Sequence, residues 1–261
     1  MIQCKFNTAG KDMLQNIRHF HNDAEEILFV ERGGGVMTVG DHIYPLAANC
    51  IYFIERNLLH YSAPDDAQTY TRSVISVPSD FFAQLCALSG YDEVTERLRK
   101  KKCVMLEPQD ARRIRAAMER IQNCSRRESV TALFEILDLA DRQGSSVPLP
   151  DNKVSGILAY INAHIGEPLT LDEISAHLFI GKYYMCHLFR ETTGMSISQY
   201  VLLRRLSLCK NLLITTERSI SDIAMTCGFS TFSYFCRAFA KSEGMSAREY
   251  RKKFTPIQKN D

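Results

Sequence analysis

Tyr184-Met-Cys-His-Leu-Phe189 and Tyr234-Phe-Cys-Arg-Ala-Phe239 are two versions of one segment, offset by 50 residues. The match extends in both directions. Upstream, Leu171-Asp-Glu-Ile-Ser-Ala176 answers Ile220-Ser-Asp-Ile-Ala-Met225 at an offset of 49. Downstream, Gly194-Met-Ser196 answers Gly244-Met-Ser246 and Tyr200 answers Tyr250, at 50. The offset grows by one between residues 178–181 and 227–231. An inserted residue belongs in a turn, so both copies carry a turn there.

Helix starts recur in the same register. Thr170-x-x-Glu173 and Ser219-x-x-Asp222 are equivalent, as are Ser196-x-x-Gln199 and Ser246-x-x-Glu249. In each, a hydroxyl can accept from the exposed amide three residues on, in the first turn, while the acidic or amide side chain answers back. Ile174, Leu178, Met185, Leu188 and Phe189 form an apolar seam in the first copy; Ile223, Cys227, Phe235 and Phe239 do so in the second. Each copy therefore reads as helix, turn, helix, Gly, capped helix, the order of a helix-turn-helix unit. An apolar helix over about 198–213 joins them, carrying Val201, Leu202, Leu206, Cys209, Leu212 and Leu213. Two units held this way suit successive major-groove segments about 34 Å apart.

Before the repeats, Gln143-Gly-Ser-Ser-Val-Pro-Leu-Pro-Asp151 resists regular structure and reads as a linker. The expected domains are 1–142, linker 143–151, and 152–261. Within the first, residues 17–77 read as short strands: Ile27-Leu-Phe-Val30, Val36-Met-Thr-Val39, a tight turn at Gly40-Asp41, Ile43-Tyr44 and Ile51-Tyr-Phe-Ile54. Turn signals every 8–12 residues predict a barrel, about 1–78. Helices follow over about 79–142, with apolar stripes at 108–123 (Ile114, Met118, Ile121) and 128–142 (Val130, Leu133, Phe134, Leu137, Ala140). These stripes can pack on the barrel or form a homodimer surface through 108–142.

The 261 residues are 45% hydrophobic and 24% charged, a composition that can build a core in each of two domains. No apolar run reaches 18 residues and no basic-then-apolar leader opens the chain, so neither a membrane span nor a secretory signal is expected. The nine cysteines are scattered, odd in number and without a CxxC pair, which fits free thiols in a reducing cytosol. Residues 1–150 carry 18 Lys and Arg against 20 Asp and Glu; residues 151–261 carry 14 against 10. A basic back half on a near-neutral front points to a nucleic-acid module at the C-terminus. The dense basic run Arg97-Leu-Arg-Lys-Lys-Lys102 lies in the other domain and reads as solvated surface.

The last 100 or so residues resemble the AraC/XylS transcription regulators. The resemblance is carried by Ile223-Ala224, Gly228-Phe229, Ser233-Tyr-Phe235, Arg237, Phe239, Gly244-Met-Ser246 and Tyr250-Arg251. In the first copy it is carried by Tyr184, Leu188-Phe-Arg190, Thr193-Gly194, Ser196, Tyr200 and Arg205-Leu206. The chain departs from that pattern at Ala247 (usually Pro), His187 (often Arg) and Gly181 (usually Ser). The resemblance implies recognition helices at about 182–193 and 231–242. On these, Tyr183, Cys186, His187, Phe232, Ser233 and Arg237 are the expected base contacts, with Arg237 foremost because its fork matches guanine O6 and N7. Lys182, Arg190, Thr231 and Lys241 are the expected phosphate anchors. Tyr184 and Tyr234, matched across the copies, read as scaffold. The resemblance further implies an α+β two-domain protein: a cupin-like β-barrel with appended helices, then an all-α double helix-turn-helix. It implies double-stranded promoter DNA and RNA polymerase as partners, and a cytoplasmic, nucleoid-associated regulator, expected to be an activator although the sequence leaves the sign of regulation open.

His19-Phe-His21, Glu26 and His60 resemble the metal-binding pattern of cupin barrels. Three imidazoles and a carboxylate suit Fe, Mn, Ni or Zn. Asn49 stands where that pattern usually has Gly. In regulators the same strands enclose an organic effector. Arg18, His21, Glu26, Tyr44, Tyr52 and His60 are the polar groups able to orient one. The expectation is a regulator with no cofactor and an unknown small-molecule effector. The alternative is a metal-dependent cupin enzyme with a DNA-binding tail. No nucleophile–base pair, P-loop or Rossmann glycine pattern favours catalysis.

Overall fold

Along β3 (Ala24–Arg32) the side chains divide by parity, as a pleated strand requires. Leu28 and Val30 join one apolar cluster; Ile27 and Phe29 join another. Burial on both faces explains why Ile27-Leu-Phe-Val30 is a continuous apolar run and not an alternating one. The computed structural model describes residues 2–9, 18–19, 24–40, 42–56, 58–143 and 153–255. The chain divides into two compact units, 1–150 and 151–261.

In the first unit, β1 (Gln3–Ala9), β8 (Thr71–Pro78), β3, β6 (Cys50–Ile54) and β9 (Cys103–Met105) lie in that order in one antiparallel sheet. A second sheet has the order β2 (Arg18–His19), β7 (His60–Pro64), β4 (Gly35–Val39), β5 (His42–Pro45). Met37, Val39 and Tyr44 from the second sheet meet Leu28, Val30, Tyr52 and Ile54 from the first, so the sheets close face to face. The expected turn at Gly40 is present, with φ +63. Asn49 takes φ +67, a left-handed conformation that asparagine tolerates.

The outer face of the first sheet packs on α1 (Ser79–Ser89), α2 (Asp92–Lys101), α3 (Pro108–Asn123) and α4 (Arg126–Arg142). Two strands were not foreseen. β1 precedes the segment read as strands, and β9 interrupts the segment read as helices. Three residues of β9 are too few to show a period. α4 begins at Arg126 because Ser125 and Glu128 form a capping box. The apolar stripes of α3 and α4 are spent inside this unit: Ile114, Met118, Leu133, Leu137 and Ala140 are all fully buried. The basic run is held by the unit's own carboxylates. Arg97 pairs with Asp141 at 2.6 Å, Arg99 with Glu25 at 3.5 Å, Lys100 with Glu96 at 3.4 Å and Lys102 with Glu55 at 3.5 Å.

The linker expected at 143–151 lies outside the described residues from 144 onward. The second unit comprises α5 (Lys153–Ala163), α6 (Leu171–His177), α7 (Lys182–Thr193), α8 (Ile197–Thr215), α9 (Ile220–Thr226), α10 (Phe232–Glu243) and α11 (Ala247–Phe254). Three of the four expected capping boxes form in full, at Thr170/Glu173, Ser196/Gln199 and Ser246/Glu249. At Ser219 only half forms: its hydroxyl accepts from the Asp222 amide at 3.1 Å and pairs with Ser221. Aspartate, one methylene shorter than glutamate, does not answer back. All nine cysteines are free thiols.

Candidate nucleic-acid interface and barrel interior

The two helix-turn-helix units share a backbone, bond for bond. In the first, Leu178, Phe179 and Ile180 donate to the carbonyls of Ile174, Ala176 and Ser175. In the second, Cys227, Gly228 and Phe229 donate to Ile223, Met225 and Ala224, each shifted by 49. The extra residue is then inserted, and Gly181 and Thr231 become equivalent N-caps. Thr231 accepts from the Tyr234 amide at 3.2 Å, whereas Gly181 caps without a side chain. Both second helices end on glycines with left-handed φ, Gly194 at +70 and Gly244 at +69.

Met185 and Phe189 on α7, and Phe235 and Phe239 on α10, are fully buried. That burial fixes which face each helix offers. Tyr183, 91% exposed, projects from the first turn of α7. His187 and Arg190 follow it on the exposed side, with Cys186 half-buried. On α10, Ser233, Arg237 and Lys241 are exposed and Phe232 is 44% exposed. The expected base contacts therefore share the open face of each helix. One base contact and one phosphate anchor are engaged within the chain: His187 Nδ1 lies 3.2 Å from Glu191, and Lys182 donates to Asp172 at 2.9 Å. That carboxylate holds the Lys182 pKa above its ordinary value. Among the described residues, Arg190, Arg237 and Lys241 have no ion-pair partner. Tyr184 and Tyr234, read as scaffold, are half-exposed, 51% and 42%. The Tyr184 ring carries the Lys153 ammonium at 4.9 Å, and Tyr234 packs on Phe229.

α8 ties the two units together. Arg205 donates to the Ile165 and Glu167 carbonyls, and burial lowers its pKa. Lys210, 1% exposed, donates to Glu243 at 3.0 Å and so fastens α8 to the end of α10. A cleft of about 190 Å³ runs between the two helix-turn-helix units, lined by Leu171, Ile174, Val201, Leu202, Phe229 and Tyr234 among others.

In the barrel, Glu26 pairs with His60 and Tyr44 with Tyr52, on inward-facing positions. His60 Nδ1 donates to the Leu58 carbonyl at 2.9 Å, which turns Nε2 to Glu26 at 3.2 Å. Tyr52 donates to the Pro45 carbonyl, and its ring meets Tyr44 edge-on at 6.4 Å. Burial raises the Tyr52 pKa well above its ordinary value. β2 places Arg18 opposite Tyr61 and His19 opposite His60, but their side chains, and all of His21, lie outside the described residues. As a metal site, the two described candidates turn to each other. Among the described residues no group of three or more His, Cys, Asp or Glu is placed to hold a metal ion.

Three polar residues of the same interior were missed: Ser62, Tyr70 and Arg72. Ser62 lies 3.0 Å from the Tyr70 hydroxyl and 3.3 Å from Met37 Sδ. Their signal was the period of two in Tyr70, Arg72 and Val74, opposite in phase to Ile75 and Val77. It is readable only once β8 is placed between β1 and β3.

The chain matches two family models in succession: an AraC-like ligand binding domain over residues 9–137 and a helix-turn-helix domain over 174–253. It is 24% identical over 256 residues to the uncharacterized HTH-type transcriptional regulator YdiP of Escherichia coli K12, covering 90% of this chain and 81% of that one. It is 28% identical over 260 residues to the HTH-type transcriptional activator RhaR of Yersinia pestis, covering 91% and 85%. To the regulatory protein PocR of Salmonella typhimurium it is 33% identical over 105 residues, 40% of this chain and 35% of that relative. Regulators, not enzymes, are what these relatives are named as. With a barrel matching the ligand-binding domain ahead of two capped helix-turn-helix units, the chain belongs to the AraC/XylS family of transcription regulators.

Proposed function

We propose that this protein binds double-stranded promoter DNA sequence-specifically, setting α7 and α10 into successive major-groove segments. Occupancy of its barrel by a small-molecule effector modulates that binding. The observation that carries this reading is the open face that each of the two repeat-equivalent second helices offers. It presents Tyr183, Cys186 and His187 on one, and Phe232, Ser233 and Arg237 on the other. Lys182, Arg190, Thr231 and Lys241 flank them as phosphate anchors. Such a protein acts on RNA polymerase at the promoter, in the cytoplasm and on the nucleoid. A homodimer belongs to the same reading, although the α3 and α4 stripes are already covered by their own core.

Selection of the full-length protein from a random duplex pool at near-physiological salt tests this. The expected result is a bipartite motif with halves about 10 base pairs apart. Salt-sensitive binding without enrichment would overturn it.

A further inference from the structure

Arg72 is 7% exposed, on β8 between β1 and β3. Its neighbours of like parity, Tyr70 and Val74, pack into the barrel's interior cluster. Its side-chain hydrogen-bond partner across the barrel among the described residues, Ser62, sits opposite the interior residue Met37. The guanidinium therefore points inward. There Nη1 reaches Ser62 Oγ at 3.5 Å, that oxygen lies 3.0 Å from the Tyr70 hydroxyl, and Nε meets no acceptor among the described residues. Hydroxyls are its neighbours; among the described residues no carboxylate pairs with it.

The three acidic groups on the adjacent β3 are committed elsewhere: Glu25 pairs with Arg99 at 3.5 Å. Glu26, on the interior face, is 3.2 Å from His60. Glu31 belongs to the other face, where Ser73 donates to it at 2.8 Å and Arg115 pairs with it. An arginine stays charged at every physiological pH. A buried charge costs stability unless paired. A buried guanidinium beside two hydroxyls, with no counter-charge among the described residues, is the chemistry of an oxyanion site.

We propose that the barrel interior recognises a small anionic ligand, a carboxylate or phosphate group, with Arg72 as counter-charge and Ser62 and Tyr70 as flanking hydrogen-bond donors. This rests on the reading of the barrel as an effector domain and adds the charge class of the effector. It also assigns Arg72 as the residue that selects that class.

The test is thermal denaturation of the full-length protein in sodium acetate, in sodium phosphate and in acetamide, each against sodium chloride at matched ionic strength. Arg72→Met is compared with wild type. Arg72→Gln, which keeps a donor toward Ser62, stands in if the methionine variant does not fold. Wild type should gain Tm saturably with acetate or phosphate, and the variant should show no saturable gain. Which anion acts separates the carboxylate from the phosphate. An equal gain in the variant would be a general salt effect and would overturn the proposal. So would no gain in either protein. If acetamide or neutral sugars raise Tm in both proteins while the anions do not, the effector reading stands and the anionic class falls. If neither anions nor neutral metabolites act, both fall.

Discussion

Phe179 and Gly228 occupy the same turn position of the two helix-turn-helix units, and both hold a positive φ, +53 and +84. Glycine takes that conformation freely; a side chain with a Cβ does not. Phe179 is also 95% exposed, so its ring contributes little packing in return. Phe179→Gly should stabilise the second unit by about 1 kcal/mol. Gly228→Ala should do the reverse and more, because a Cβ there would stand 2.6 Å from the Ile165 carbonyl and 2.8 Å from Arg205 Nε. Chemical denaturation of the two variants checks both signs. A destabilised Phe179→Gly protein would refute the strain.

Arg237 is exposed and lacks an ion-pair partner among the described residues, so no intramolecular bond competes with DNA for it. Arg237→Ala should lose about 1–3 kcal/mol at the selected site and relax its preference at one base pair. Arg190→Ala should weaken selected and random duplexes alike and reduce the salt slope by about one unit. Equilibrium binding on both DNAs across a salt series separates the two roles. Equal losses for Arg237→Ala on both duplexes would remove it as a reader of sequence.

The Lys210–Glu243 pair makes stability depend on alkaline pH. Burial pulls the Lys210 pKa down to about 8, against the attraction of Glu243. Below pH 8 the folded and unfolded chains both hold the proton. From about 8 to 10.5 the unfolded chain holds it more fully, so unfolding free energy rises with pH across that window. Replacing both partners, Lys210→Met with Glu243→Gln, abolishes this contribution. The stability of wild type relative to the double variant should climb from pH 8 to pH 10; a flat difference would contradict the assignment. Lys210→Met alone strands the nearly buried carboxylate and should cost about 3 kcal/mol.

The capping box at the start of α8 satisfies two amides at once. Ser196 Oγ accepts from the Gln199 amide at 3.3 Å, and Gln199 Oε1 accepts from the Ser196 amide at 3.0 Å. Ser196→Ala should cost about 1 kcal/mol. Ser219→Ala should cost less, because only its own half of the box exists there. Paired denaturation curves rank the two.

The repeat, its caps and its turns are legible in the chain because each is decided within about four residues. A hydroxyl caps the amide three positions on, and an inserted residue has nowhere to go but a turn. The same locality made the open faces of α7 and α10 predictable: once Met185, Phe189, Phe235 and Phe239 are read as the seam, the remaining positions must face away. The barrel is different. Ser62, Tyr70 and Arg72 converge only because β7 and β8 sit in facing sheets, and their strand register decides which parity looks inward. Glu26 and His60 share a recognisable pattern in sequence, yet whether they open toward a metal or toward each other depends on the Leu58 carbonyl that orients the imidazole. The α3 and α4 stripes announced themselves as apolar, but nothing within a helix states whether its partner is the same chain or a second copy. Sequence alone determined the local, self-contained elements of this protein. Tertiary structure decided which polar groups the barrel buries together, because bringing distant strands into register is a property of the closed sheet and not of any one segment.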